Sequence, residues 1–201
     1  MHWLSIKQYS WVFKFMSNLD ARAIRSRKAL LDAGIELLLQ NPSASLTEIA
    51  AHAGVGRATL YRQFDSREQL VQALAVESFN LKEQRLVPLK EQDLTAEETL
   101  KQLFELLMPL ADRFHFLLSL WSIAEKDPEV MALYNRQLYD LVALVERGKK
   151  EGSINQSLDS NWLVCLIDSL MYSGWWMMAN MKMTSQAASK HAIQVLMSGV
   201  K

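Results

Sequence analysis

Residues 46–64 read Leu46-Thr-Glu-Ile-Ala-Ala-His-Ala-Gly-Val-Gly-Arg-Ala-Thr-Leu-Tyr-Arg-Gln-Phe64. The pattern is a short helix, a glycine turn and a second short helix. Ser45 stands where it caps the first, with Glu48 three residues on, as in a capping box. Ala53-Gly54-Val55-Gly56 makes the turn, and Gly54 supplies the positive φ that a sharp helix-helix turn needs. The small residues Ala50, Ala53 and Ala58 let the helices approach closely, while Ile49, Val55, Leu60 and Phe64 face inward. Thr47, Arg57, Thr59, Tyr61, Arg62 and Gln63 remain for the outside. A helix that reads DNA needs this division, with one face buried and one face of donors for base edges and phosphates. Arginine forks onto guanine, and hydroxyls suit phosphate oxygens. A helix-turn-helix shape also arises as plain core packing, so the residues alone leave both readings open.

Working outward, helix signals follow one another. Before the motif, Ile24, Leu31, Ile35, Leu38 and Leu39 mark one face of a helix over Ala21–Gln40, stopped by Asn41-Pro42. After it, Asp65-Ser66 breaks the chain, and Ser66 caps a fourth helix with Leu70, Leu74 and Phe79 on its apolar side. Pro88 is placed beyond its end. Five more helices are predicted, over Ala96–Leu110, Asp112–Glu125, Pro128–Lys150, Ser160–Asn180 and Ser185–Ser198. Only seven glycines and four prolines punctuate 201 residues, and no segment alternates as a strand does. The expected class is all-α, about nine helices. Residues 21–70 form a three-helix helix-turn-helix domain and 71–201 a larger helical domain. Residues 1–20 are an N-terminal extension. Its first 15 residues carry Trp3, Tyr9, Trp11, Phe13 and Phe15. Two readings stand for them: a tail or upstream start ahead of Met16, or an aromatic arm that packs on a partner.

Charge and composition narrow the classes. The formal net charge is zero, but it is unevenly spread. Between Ala21 and Phe64, Arg22, Arg25, Arg27, Lys28, Arg57 and Arg62 outweigh Asp32, Glu36 and Glu48, whereas the rest of the chain to Lys201 is net acidic. A basic head on an acidic body suits a module that meets phosphates at one end. The single cysteine, Cys165, excludes an internal disulfide and fits a reducing, cytoplasmic setting. The most apolar stretch, 162–179, is interrupted by Asp168, which argues against a membrane span. There is no glycine-rich phosphate loop, no metal-ligand spacing among the four histidines and no nucleophile-base pair with usable context. The sequence therefore predicts neither an enzyme nor a cofactor or metal site.

The run Thr47-Glu-Ile-Ala, Ala53-Gly-Val, Thr59-Leu-Tyr-Arg-Gln-Phe and Ser66-Arg-Glu-Gln-Leu, with Ala33-Gly34 before it, strongly resembles the TetR family of bacterial regulators. The resemblance covers about residues 22–75; the remaining helices match the family only in number and rough length. It implies roles residue by residue. Ser45 and Thr47 fall at the DNA-facing start of the second helix. Arg57, Ala58 and Thr59 match the base-reading front of the recognition helix. Tyr61 and Gln63 match phosphate contacts, with Gln63 standing where histidine or tyrosine is more usual. Arg67 matches a basic residue contacting the backbone, and Arg62 is either a further contact or a solvated surface residue.

The resemblance further implies an operator-binding homodimer whose C-terminal domain holds a small-molecule pocket. Aromatic and Met side chains of the middle helices are compatible with an adaptable apolar pocket, and equally with ordinary core. The expected ligand contacts are Phe104, Met108, His115, Trp121, Tyr134, Asp168 and Tyr172. Asp168, in an otherwise apolar helix, is costly to bury without a partner. The expected dimer face is Trp162, Leu166, Ser169, Ser173, Trp176, Ile193, Leu196 and Met197, with Gly174 aiding close approach. Repression relieved by a small apolar or amphipathic effector is the implied function. The competing class is a helical nucleic-acid or protein-interaction module without ligand control.

Overall fold

The computed structural model describes residues 7–200, with side chains from Ala21 onward. Among the described residues there is no strand. The chain divides into two compact units, with the change between Val71 and Gln72.

The first unit contains α1 (Lys7–Gln40), α2 (Leu46–His52), α3 (Arg57–Gln63) and the start of α4 (Arg67–Lys90). Helix α1 begins earlier than the Ala21 of the sequence reading, within the segment read as an extension. The two readings of residues 1–15 turn on side chains outside the described residues. Leu30, Leu31, Ala33, Ile35 and Leu38 of α1 are buried, and so are Ile49, Leu60 and Phe64. Ile24, expected on this face, is 68% exposed.

Each joint in this unit has a local cause. Ser45 and Glu48 form the predicted capping box of α2. At the other end of α2, the Val55 amide donates to the Ala50 carbonyl and the Gly54 amide to that of Ala51. That is the Schellman pattern, and it needs the left-handed backbone that Gly54 adopts at φ 65°. Asp65 and Ser66 open α4 reciprocally: the Asp65 amide donates to Gln69 Oε1, and the Gln69 amide to Ser66 Oγ.

The second unit comprises the rest of α4, α5 (Ala96–Leu107), a 3-10 turn (Met108–Leu110), α6 (Ala111–Ser119), α7 (Trp121–Ala124), α8 (Pro128–Glu151), α9 (Ser160–Met181) and α10 (Ser185–Gly199). Pro88 lies inside the last turn of α4 rather than beyond it. Having no N–H, it gives up its own rung of the helix ladder two residues before the helix ends, and the Gln92 side chain donates to its carbonyl. Pro109 has no N–H to carry the α-ladder onward, and the predicted helix over Ala96–Leu110 finishes as the 3-10 turn. The predicted helix over Asp112–Glu125 breaks at Leu120, which leaves helical geometry while staying buried.

Helix α5 packs on α8 and α10, and α9 packs on α6, α8 and α10. Their shared core is built on Leu100, Phe104, Met108, Val145, Ile167 and Leu196. Gly174 lets α9 close on this core, since a Cβ there would lie 2.4 Å from Met108 Sδ. It therefore serves packing within the chain, not the dimer face expected for it. The buried Ser189 hydroxyl has its one hydrogen within reach of two acceptors, the Ser185 carbonyl in α10 and the Phe104 carbonyl in α5.

Candidate functional sites

In the first unit, α3 buries Leu60 and turns Arg57, Ala58, Tyr61 and Arg62 outward. Positions 57, 58, 61 and 62 share one face by helical spacing. Ala58, expected at the helix contact, is exposed, which leaves a smooth surface beside Arg57. Thr59 and Thr47 are half-buried. Arg57 and Arg62 are in no ion pair among the described residues.

Three of the expected contacts have structural duties in this unit. Ser45 Oγ caps α2 and lies 3.2 Å from Thr47 Oγ1. The Gln63 amide donates to the Ala23 carbonyl at 3.2 Å, fastening α3 to α1. Arg67 donates through Nε to the Ala44 carbonyl at 3.0 Å and through a terminal nitrogen to that of Pro42. Two of its five donors thus hold the loop between α1 and α2. Arg27 adds a guanidinium 4.7 Å above the Phe64 ring.

In the second unit a cavity of about 690 Å³ is lined from α4, α5, α6, α7, α8 and α9. Of the expected ligand contacts, His115, Trp121, Tyr134, Asp168 and Tyr172 line it. Phe104 and Met108 do not: both are fully buried in the helical core. They sit on the side of α5 and the 3-10 turn that meets α9 and α10, and packing consumes them. The structure adds Lys82, Phe114, Gln137 and Trp175 to the lining. Lys82 had no sequence signal, because a lysine in a charged helix reads as solvated surface. Gln137 had none either.

The aromatic end of the cavity is ordered. His115 stacks on Trp175 with centroids 3.4 Å apart and planes 11° apart. Trp175 Nε1 donates to Asp112 Oδ1 at 2.8 Å, and Tyr172 lies against both rings. Burial pushes the His115 pKa below 6.5, partly opposed by the Asp112 charge. Trp121 lies against Tyr134, which meets Phe79 edge-on. Lys82 stands 5.6 Å over the Phe114 ring. Asp168 is exposed at the cavity wall, yet the protein packed around it still raises its pKa by desolvation, partly opposed by Lys82. Burial likewise lowers the Lys82 pKa, partly opposed by Asp168.

The outward face of α9 carries Trp162, Ser169, Ser173 and Trp176, all exposed, with Leu166 half-buried beside them. Trp162 is 72% exposed. On α10 the expected Leu196 and Met197 are buried in the chain's own core and cannot face a partner. Ile193 is half-buried, and the exposed positions of α10 are Gln186, Lys190, His191, Gln194, Val195, Ser198 and Gly199. The expectation chose the more apolar stripe of α10; that stripe packs inward. Among the described residues no cluster of three or more His, Cys, Asp or Glu is placed to hold a metal. No helix among them is long and apolar enough to cross a membrane.

Known proteins are similar to this chain in sequence and in fold. Residues 30–74 match the family model for bacterial regulatory proteins, tetR family. The HTH-type transcriptional repressor LfrR of Mycolicibacterium smegmatis is 49% identical over 51 residues, 25% of this chain and 27% of that protein. The matched stretch thus spans about a quarter of that relative. The crystal structure of LfrR from Mycobacterium smegmatis, in complex with proflavine, superposes with a TM-score of 0.74 at 27% identity, covering 90% of this chain and 98% of that one. The ketosteroid transcriptional regulator KstR2 of Mycobacterium tuberculosis shares the fold, with a TM-score of 0.74 at 18% identity over 87% of this chain and 94% of that one. Residues 30–74 thus match the tetR family of bacterial regulatory proteins, and the fold that carries them resembles that of LfrR.

Proposed function

We propose that this protein is a sequence-specific DNA-binding transcriptional repressor, acting as a homodimer. A small apolar or amphipathic molecule in the cavity releases it from a palindromic operator. The observation that carries the reading is the outward face of α3, where Arg57, Ala58, Tyr61 and Arg62 stand together over a locked turn. A rigid helix with two uncommitted guanidiniums and a phenol suits base edges and phosphates. Thr47 and Thr59 flank that face, while Ser45, Gln63 and Arg67 act chiefly by holding it.

The exposed stripe of α9, Trp162 to Trp176, with Val195 of α10, is the proposed dimer face. A two-fold pair presents two recognition helices about one DNA turn, roughly 34–36 Å, apart. Helix α4 supplies residues to both functions: Arg67 holds the loop ahead of α2, and Phe79 and Lys82 line the cavity. An effector that prefers the conformation mismatched to the operator shifts the population away from DNA. The aromatic walls suit an aromatic effector, and the relative solved with proflavine supports that choice.

The test is selection of sites from a random DNA pool by the purified protein, repeated with Arg57→Ala and Tyr61→Ala. An enriched palindrome that both variants fail to bind is the expected result. Only weak, salt-sensitive binding without an enriched sequence overturns the regulator reading and favours a non-specific helical module.

A further inference from the structure

The charged residues lining the cavity divide into two groups. Glu83 pairs with Arg136, Lys90 lies 3.9 Å from Asp140, and Arg147 lies 3.4 Å from Glu151. Lys82 and Asp168 are left over. Among the described residues, neither takes part in a hydrogen bond, and no ion pair within 4.0 Å joins them to each other or to a third group. Lys82 has only the face of Phe114 beneath it. Each charge nonetheless acts on the other, and enclosure by protein disfavours the charged form of both. Two further polar atoms on this lining are buried without a partner: His115 Nδ1 and Gln137 Oε1.

Lys82 is half-buried and Asp168 exposed at the wall, so each is only partly desolvated, and an occupant of the cavity would strip the remaining water from both unless it supplied a partner. Both line the same cavity without bonding each other, so a molecule held there can meet both. A neutral occupant expels water and leaves both charges bare. A simple cation meets Asp168 but is repelled by Lys82, and a simple anion meets Lys82 but is repelled by Asp168. Rejection of the singly charged is thus built into the same pair. The walls set the rest. Trp175, Tyr172, His115 and Phe114 offer flat faces, and the volume lies within the range of about 300–1,000 Å³ usual for small-molecule sites.

We propose that Lys82 and Asp168 form a two-pole receptor for an aromatic zwitterion: a planar molecule with an anionic group at Lys82 and a cationic group at Asp168. The inference rests on the ligand-cavity half of the reading above and names the effector's chemical class. It assigns Lys82, a residue with no prior role, to specificity.

The test uses four naphthalenes of one shape on the full-length protein without DNA, by titration calorimetry. They are 6-(aminomethyl)-2-naphthoate, which is zwitterionic; its methyl ester, a cation; 6-methyl-2-naphthoate, an anion; and the methyl ester of the last, neutral. The wild type is expected to bind the zwitterion at least about tenfold more tightly than the other three. Lys82→Met is expected to move the preference to the cation, and Asp168→Asn to move it to the anion. Opposite changes in rank order cannot come from general damage to the fold. Failure of the zwitterion to bind the wild type, an unchanged rank order in both variants, or equal loss for all four probes in both overturns the proposal. Because DNA is absent, these outcomes are independent of the operator selection: an enriched palindrome with no zwitterion binding sinks this inference alone, and the reverse result sinks the regulator reading alone.

Discussion

The unit ending at Val71 and the unit beginning at Gln72 place their working surfaces in different ways. In the first, the exposed face of α3 is made of residues within one short stretch, and the helix ends around it are closed by bonds between near neighbours in sequence: the Ser45–Glu48 box, the turn at Gly54, the Asp65–Gln69 and Ser66–Gln69 exchange, with Gln63 and Arg67 adding longer-range ties. In the second, the cavity is assembled from side chains between Phe79 and Trp175, carried by six helices whose opposite faces fill the core. A surface built locally tolerates few substitutions at fixed spacing. A cavity built from afar is set by which side of each helix the packing leaves over.

The largest expected effects probe the two cores. Leu60→Ala removes a fully buried side chain under α3 and should cost about 2–5 kcal/mol. Phe104→Ala in the second unit should cost about 3–5 kcal/mol. Hydrogen exchange locates each loss: the first should lower protection in residues 30–71, the second in the helices from α5 onward. The comparison breaks if either change spreads evenly along the chain.

A middle-sized pair compares two left-handed helix ends. Gly54 closes α2 at φ 65°, whereas α9 closes on Lys182 at φ 56°. Gly54→Ala should destabilise by about 1–2 kcal/mol through backbone conformation alone, since nothing lies within 4 Å of the added Cβ. Lys182→Gly should stabilise by up to about 1 kcal/mol. Thermal denaturation of both variants measures the two signs; two losses would mean that Lys182 makes its end by more than backbone geometry.

The smallest effect concerns Asp168. Its pKa is raised by burial above the ordinary 3.8, so the fold disfavours the ionised form. That penalty is absent at low pH and sets in as pH climbs through the carboxylate range. Asp168→Asn should therefore raise Tm slightly at pH 7, by no more than about 2 °C, with no gain below about pH 4. A lower Tm for the variant at pH 7 would mean that attraction to Lys82 outweighs the cost of enclosure.

These contrasts explain what was legible beforehand. The helix-turn-helix could be read residue by residue because its glycine, cap and apolar positions each have one local job. Even there, Gln63 and Arg67 read as surface donors, and only the fold revealed their carbonyl partners in Ala23, Ala44 and Pro42. In the body the helices were foreseen, yet periodicity does not say which of two apolar stripes faces inward. Phe104 and Met108 went to the core instead of the cavity, and Leu196 and Met197 to the core instead of the outer face. Lys82 was missed because its significance lies in Asp168, which is 86 positions away.

The stack of His115 on Trp175 has an optical consequence. A protonated imidazolium against an indole quenches its emission far more than a neutral imidazole does. Because burial holds His115 neutral below its usual range, the emission of Trp175 should stay bright through neutral pH and dim only once the solution is more acidic than pH 6.5. Trp175→Phe should remove that step from the chain's fluorescence titration. An occupant that slides against the same ring should move it, so the cavity carries its own dye.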